Sequence, residues 1–264
     1  MKRSIYFLFV ILMIVSLAAC NATPASHWEK IQKEGKIVIG TSADYPPFEY
    51  VDESGNFAGF DVDIVNEMAS RLGLELEIVD MPFDSLVAAV KEGKIDAAIA
   101  AFNYNEERDQ SVDFTDAYFY QENGFLVSST FAGTFDKPED AANYKLGVQT
   151  GAMADDWATT TLVEGGLMSA ENLFRYERVD QAGLDVKNGR IEVLMADYYP
   201  LLTLQEQYPE LKIIYHGEVA AGPVMMIIPD GDTETKAGLD QILKAMLDDG
   251  FVDQVATTHF GAIE

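Results

Sequence analysis

The chain has 264 residues, 48% of them hydrophobic, which suits one or two domains with buried cores and excludes a wholly disordered polypeptide. Its 44 acidic residues against 18 basic ones give a formal net charge of −26, with no basic stripe to offset it. Such a field repels polynucleotides and anionic lipid heads, which excludes nucleic-acid binding and electrostatic membrane docking as functions.

Lys2 and Arg3 precede an apolar run over residues 5–17 that ends in Leu17-Ala18-Ala19-Cys20. A basic start, a short apolar centre and small residues read as a secretory signal over residues 1–19, too short to span a bilayer comfortably. Cys20 is the only cysteine, so no disulfide forms within the chain and its cores must hold the fold. Residues 20–27 are mostly small and polar and read as a tether.

From Trp28 onward, short strand-like runs alternate with helix-like ones. Residues 37–41 predict a strand. Residues 42–48 form a loop with two prolines and aromatics at both ends. Glu53-Ser54-Gly55-Asn56 is turn chemistry. Apolar spacing over residues 61–72 predicts a helix capped by Asp61 and closed by Gly73. A strand over 76–79, a helix over 85–90 with Asp84 as its cap, and a buried strand over 97–101 follow. This order predicts a parallel sheet with right-handed crossovers.

Asn105 before Glu106 and Glu107 has the form of a helix N-cap. The lone cation Arg108 follows, where it either forks onto a ligand carboxylate or pairs with Glu106 or Asp109 on a wet surface. The rhythm then repeats with strands over 145–149, 173–176, 191–196, 211–215 and 224–228 and helices between and after them. The three histidines, His27, His216 and His259, are scattered, and no nucleophile elbow or phosphate loop occurs. Neither a metal nor a cofactor is expected.

Several stretches taken in order resemble the family 3 extracellular solute-binding proteins, the amino-acid receptors of ABC importers. They are Gly40-Thr41-Ser42-Ala43-Asp44-Tyr45-Pro46-Pro47-Phe48, Gly59-Phe60-Asp61-Val62-Asp63, Phe83-Asp84-Ser85-Leu86, Glu106-Glu107-Arg108 and Val112-Asp113-Phe114-Thr115-Asp116. Gly147-Val148-Gln149-Thr150-Gly151 and Asn188-Gly189-Arg190 continue the series. The resemblance implies an α/β fold of the type II periplasmic-binding-protein kind, with two lobes, a hinge and a ligand cleft between them. Residues 28–121 would build the first lobe, 122–220 the second, and 221–264 would return to the first. The crossings would fall near residues 120–124 and 218–222.

The resemblance also assigns roles. Arg108 would grip the α-carboxylate of a free amino acid, and Asp197, otherwise a helix N-cap, would hold its ammonium. Tyr45 and Phe83 would sandwich the ligand side chain, with Ala101 and Asn103 facing it. Ser42 stands where the family often has an acid that reads a polar side chain, and Asp44 is two residues away. Met153 replaces a threonine of the family pattern, and Ala100 and Ala101 lack hydroxyls used for basic side chains, so a neutral polar amino acid is expected. The segment ending at Cys20 resembles a bacterial lipoprotein signal, implying an extracytoplasmic, lipid-anchored monomer that serves ABC permease subunits. Two alternatives stay open: a cyclohexadienyl-dehydratase-like enzyme on the same fold, and a ligand sensor for a signalling partner.

Overall fold

A computed structural model describes residues 26–261, so the expected signal and the lipidation site Cys20 lie outside the described residues. After helix α1 (His27–Glu34), the chain enters β1 (Lys36–Thr41), and the proline loop folds into a small antiparallel sheet of β2 (Asp44–Tyr45), β3 (Glu49–Val51) and β4 (Phe57–Ala58). Helix α2 (Phe60–Leu72), β5 (Glu75–Asp80), α3 (Phe83–Lys91) and β6 (Ala97–Asn103) follow. Strand β1 pairs in parallel with both β5 and β6, as the alternating pattern predicts. Every residue of the alanine-rich β6 is buried, as expected of a strand covered on both faces.

The sheet is mixed, however, and not wholly parallel. β7 (Val112–Phe114) lies at one edge, and β8 (Phe119–Tyr120) is a short strand beside it. The order is β5-β1-β6-β14-β7, where β14 (Pro223–Pro229) runs antiparallel to β6, β7 and β8. A strand from near the C-terminus thus lies inside the first sheet, which periodicity alone left undetermined.

The second sheet holds β9 (Asn123–Ser128), β10 (Leu146–Gln149), β11 (Leu173–Tyr176), β12 (Val193–Asp197) and β13 (Leu211–Gly217) in the order β11-β10-β12-β9-β13. Its helices are α4 (Met153–Trp157), which runs on as a π-helix over Ala158–Glu164, α5 (Val179–Lys187) and α6 (Tyr198–Gln207). Strand β9 lies antiparallel between β12 and β13 and went unread in the sequence. It opens with Asn123-Gly124, a pair that signals a turn, while its buried Phe125, Leu126 and Val127 are too few to show a period.

Residues 121–122 and 218–222 carry the chain between the sheets. The two crossings are bonded together: Gln121 N donates to Gly222 O (3.1 Å), and Asn123 Oδ1 accepts from Ala220 N and Ala221 N, both at 2.7 Å. Helices α7 (Thr233–Asp248) and α8 (Phe251–Phe260) then pack on the first lobe's α2, and an aromatic cluster joins the two sheets' elements. Phe260 lies 4.7 Å from Phe119, 4.9 Å from Phe48 and 4.5 Å from Tyr199 of α6, measured between ring centroids.

Neither Asp61 nor Asp84 caps a helix. Gly59 is the N-cap of α2 and Pro82 that of α3, without a side-chain cap bond at either. Gly59 has φ 123°, and a Cβ there would collide with the Phe48 carbonyl oxygen. That close approach lets Phe60 N and Asp61 N donate to Pro47 O and Phe48 O, each at 2.9 Å, and draws Asp61 inward against β3. No helix among the described residues is long and apolar enough to cross a membrane.

Candidate functional site

A cavity enclosing about 480 Å³ of atom-free space, open mouth included, lies between the C-terminal ends of β6 and β12. Strand ends turning into the next segment on both sides are where open α/β sheets collect polar groups. Its wall includes Ser42, Tyr45, Phe83, Ala101, Asn103, Arg108, Met153 and Asp197. Asp44 does not line it. Its carboxylate accepts from Ser42 Oγ (2.7 Å) and, across the sheets, from Val179 N (3.1 Å) at the start of α5.

Arg108 opens a short 3₁₀ turn whose N-cap is Glu107, without a side-chain cap bond; Asn105, expected as a helix N-cap, stands two residues before it, and its Oδ1 accepts from Glu107 N (2.7 Å) and Arg108 N (3.1 Å). The guanidinium turns away from Glu106 and Asp109. It donates to Asn103 O (3.1 Å) and, across the cleft, to Gly151 O (2.6 Å). Its carbon lies 5.4 Å from the Phe83 ring and 5.5 Å from the Phe102 ring, so Phe83 supports the cation as well as the wall. Burial lowers its pKa to about 10, still charged at neutral pH.

Asp197 ends β12 and serves as the backbone N-cap of α6, without a side-chain cap bond. Its carboxylate is held instead by Tyr45 Oη (2.8 Å), Gln121 Nε2 (3.0 Å) and Asn123 Nδ2 (3.0 Å). Desolvation raises its pKa to about 7, against the lowering effect of those donors and of Arg108. Tyr45 closes the loop by accepting from Asp197 N at 3.0 Å. Gln121 and Asn123 were missed because they flank Glu122 in a stretch that reads only as a crossing.

Ala101 takes φ 47°, a left-handed conformation that costs a residue with a Cβ roughly 1–2 kcal/mol. Asp61 holds it there, accepting from Ala101 N and from Tyr118 Oη, both at 2.8 Å. Glu49, also unmarked in the sequence, is 1% exposed and forms part of the cavity wall. Burial first, and then the nearby charges of Asp61 and Asp44, push its pKa well above the usual carboxylate range. The one available signal was an acid directly after Pro-Pro-Phe, inside an apolar stretch. Asn103 uses its side-chain nitrogen on Gly222 O (3.2 Å) and Pro223 O (3.1 Å), tying the wall to the second crossing.

At Thr150-Gly151-Ala152-Met153 the backbone is less open than a helix start implies. Gly151 N donates to Asp155 Oδ2 (3.1 Å) and Ala152 N to Gln149 O (3.2 Å), while Met153 Sδ accepts from Asn105 Nδ2 at 3.5 Å. Among the described residues, no group of three or more His, Cys, Asp or Glu side chains is placed to hold a metal ion. The arrangement is suited to a small zwitterion, with a cation and an anion on opposite walls and no direct ion pair between them.

The sequence profile described as bacterial extracellular solute-binding proteins, family 3, matches residues 37–262. An L-arginine-binding protein of Pseudomonas aeruginosa is 35% identical over 161 residues, covering 61% of this chain and 60% of that protein, less than two thirds of its length. A probable ABC transporter extracellular-binding protein of Bacillus subtilis is 29% identical over 233 residues, 84% of this chain and 78% of the other. Among solved structures, an ancestral arginine-binding protein bound to arginine superposes with a TM-score of 0.80 at 29% identity, covering 86% of this chain and 99% of that one.

Proposed function

Because the chain belongs to the bacterial extracellular solute-binding proteins of family 3, we propose that it is the extracytoplasmic receptor of an ABC importer, binding a free amino acid between two closing lobes. One observation carries this reading. Arg108 and Asp197 face a single cavity from different sheets, and each is held by polar protein groups from its neighbours. Arg108 forks onto the ligand carboxylate, and Asp197 takes the ammonium. Charge-assisted bonds of this kind contribute about 1.5–3 kcal/mol each, and both ends are desolvated only when the lobes meet. The bonds already crossing the cleft, Arg108 to Gly151 and Val179 to Asp44, support a closing motion in which ligand biases the population toward the closed form.

Tyr45 and Phe83 flank the ligand side chain. Ser42, Asn103 and Gln149 put neutral polar groups on the wall, and Ala100 and Met153 put apolar ones there, which supports a neutral polar amino acid. The relatives named for arginine make a cationic side chain the competing outcome. Cleavage before Cys20 and lipidation there tether the receptor, as a monomer, beside its permease subunits. A dehydratase-like enzyme is the second reading, favoured by an Asp197 carboxyl near 7, in the range useful for proton transfer. A thermal-shift screen over the twenty amino acids tests the first reading. A ligand at 100 times its Kd adds about 2.7 kcal/mol, several degrees of melting temperature. A flat screen sinks it, and turnover of a cyclohexadienyl acid, seen as product absorbance, favours the enzyme.

A further inference from the structure

Outside the ligand cavity, an open groove runs between two acidic lips. Glu106 and Glu107 stand on the first, in the loop beyond β6, and Asp155 and Asp156 on the second, in α4. Closing the lobes brings these like charges together, which opposes closure. Asp155 is neutralised within its own lobe by Arg175, whose Nε lies 2.8 Å from its carboxylate. Arg108 draws Asp156 electrostatically but donates its hydrogen bonds to Asn103 O and Gly151 O. Asp156 meets the opposite lip through a different residue.

That residue is Asn105. Its Oδ1 accepts from Glu107 N (2.7 Å) and Arg108 N (3.1 Å), and of the two amide atoms only the oxygen can accept, so the orientation of the amide is fixed. The same two bonds aim Nδ2 away from its own loop and across the groove. There it donates to Asp156 Oδ2 at 3.2 Å and to Met153 Sδ at 3.5 Å. Asn105 is half-buried, Asp156 is exposed, and neither lines the ligand cavity. One amide thus holds the Arg108 turn with its oxygen and the second lobe with its nitrogen.

We propose that Asn105 is a positioning residue for closure, one that latches the lips through Asp156 and so sets ligand affinity without touching the ligand. The inference rests on the receptor reading above and deepens it. A carboxylate at position 105 keeps both bonds to its own turn, because they need only an acceptor, and turns the attraction across the groove into repulsion. The latch is blind to the ligand side chain. Altering it therefore changes every affinity by one factor and leaves the ranking of ligands alone.

An exchange of the two partners tests this. L-glutamine, L-arginine and L-leucine are titrated by calorimetry into the parent, Asn105→Asp, Asp156→Asn and the double variant Asn105→Asp/Asp156→Asn. Asn105→Asp loses one exposed bond and gains a like-charge contact, each worth about two- to fivefold, so every ligand should weaken by about tenfold. Asp156→Asn keeps an oxygen for the Asn105 amide and should cost less. The double variant has the parent's net charge and the same bond with donor and acceptor reversed, and should recover most of the loss. Asn105→Asp at parent affinity overturns the proposal. So does a double variant as weak as Asn105→Asp, since the loss then comes from the new charge beside Arg108 and not from the lips. A changed ranking makes position 105 a ligand contact and overturns it too. If none of the twenty amino acids binds the parent, it is the receptor reading that fails, and the same four proteins are compared by X-ray scattering without ligand. The latch then requires a wider envelope for Asn105→Asp than for the parent and the double variant, and four identical curves overturn it.

Discussion

On the wall built from the first sheet, a guanidinium rides on a loop just beyond β6, stacked on Phe83 and Phe102 and bonded to two backbone carbonyls. On the wall built from the second sheet, a carboxylate sits at the very end of β12, gripped by Tyr45, Gln121 and Asn123. Carbonyl dipoles and ring faces stabilise the cation without cancelling its charge. Three donors position the anion, yet burial still raises its pKa to about 7. The cation is therefore permanently ready, whereas the anion is conditional on pH.

The largest effect should come from the permanent side. Arg108→Ala removes both forked bonds and should weaken amino-acid binding by about 10²–10⁴-fold, with the melting temperature lowered only a few degrees. Calorimetry beside a melting curve checks this, and unchanged affinity would dissolve the comparison. Asp197→Asn keeps the shape but not the charge, and should cost about a hundredfold.

The conditional side predicts a pH profile. With a folded pKa near 7, Asp197 must lose its proton to meet an ammonium, so affinity should fall about tenfold per pH unit below 7 and level off above it. Asp197→Asn should flatten that slope. Folding without ligand runs the opposite way. The native carboxyl keeps its proton where an unfolded aspartate, near 3.9, has lost it. Its stabilising contribution is thus full below about pH 4 and is lost as the pH rises to about 7. Urea titrations of the parent and Asp197→Asn at pH 5 and pH 8 isolate the difference. The smallest effect on affinity is expected at Asn123→Ala, under tenfold, because that side chain braces Asp197 and leaves the ligand to others. It should lower stability by about 1–3 kcal/mol, since Ala220 N and Ala221 N lose their acceptor. An affinity loss rivalling Arg108→Ala would make Asn123 a contact.

Much of the framework was legible in the residues. Strands 37–41 and 173–176 and helix 61–72 are long enough, or sharply enough bounded, for their periods to show. β9 was not, because its pairing depends on partners in β12 and β13, far along the chain, and its first two residues signal a turn. Arg108 and Asp197 stood out as charges at strand ends, and the ordered motifs gave them partners. Glu49 and Asp61 did not stand out, because their meeting depends on Gly59 admitting the Phe48 carbonyl, a close approach with no spacing rule. Gln121 and Asn123 are invisible for a similar reason: amides acquire a role only once two crossings and a strand end converge on them.

The ring cluster around Phe260 bears on the proposed opening of the cleft. Tyr199 belongs to one lobe, while Phe48, Phe119 and Phe260 belong to elements on the other, and tilted or offset ring pairs differ little in energy among themselves. In the proposed opening, such a joint would work like a ball bearing: the faces would roll while keeping their own contact, so separating the jaws would wet the crevice and not the pivot. The heat-capacity change on ligand capture should then report the crevice alone.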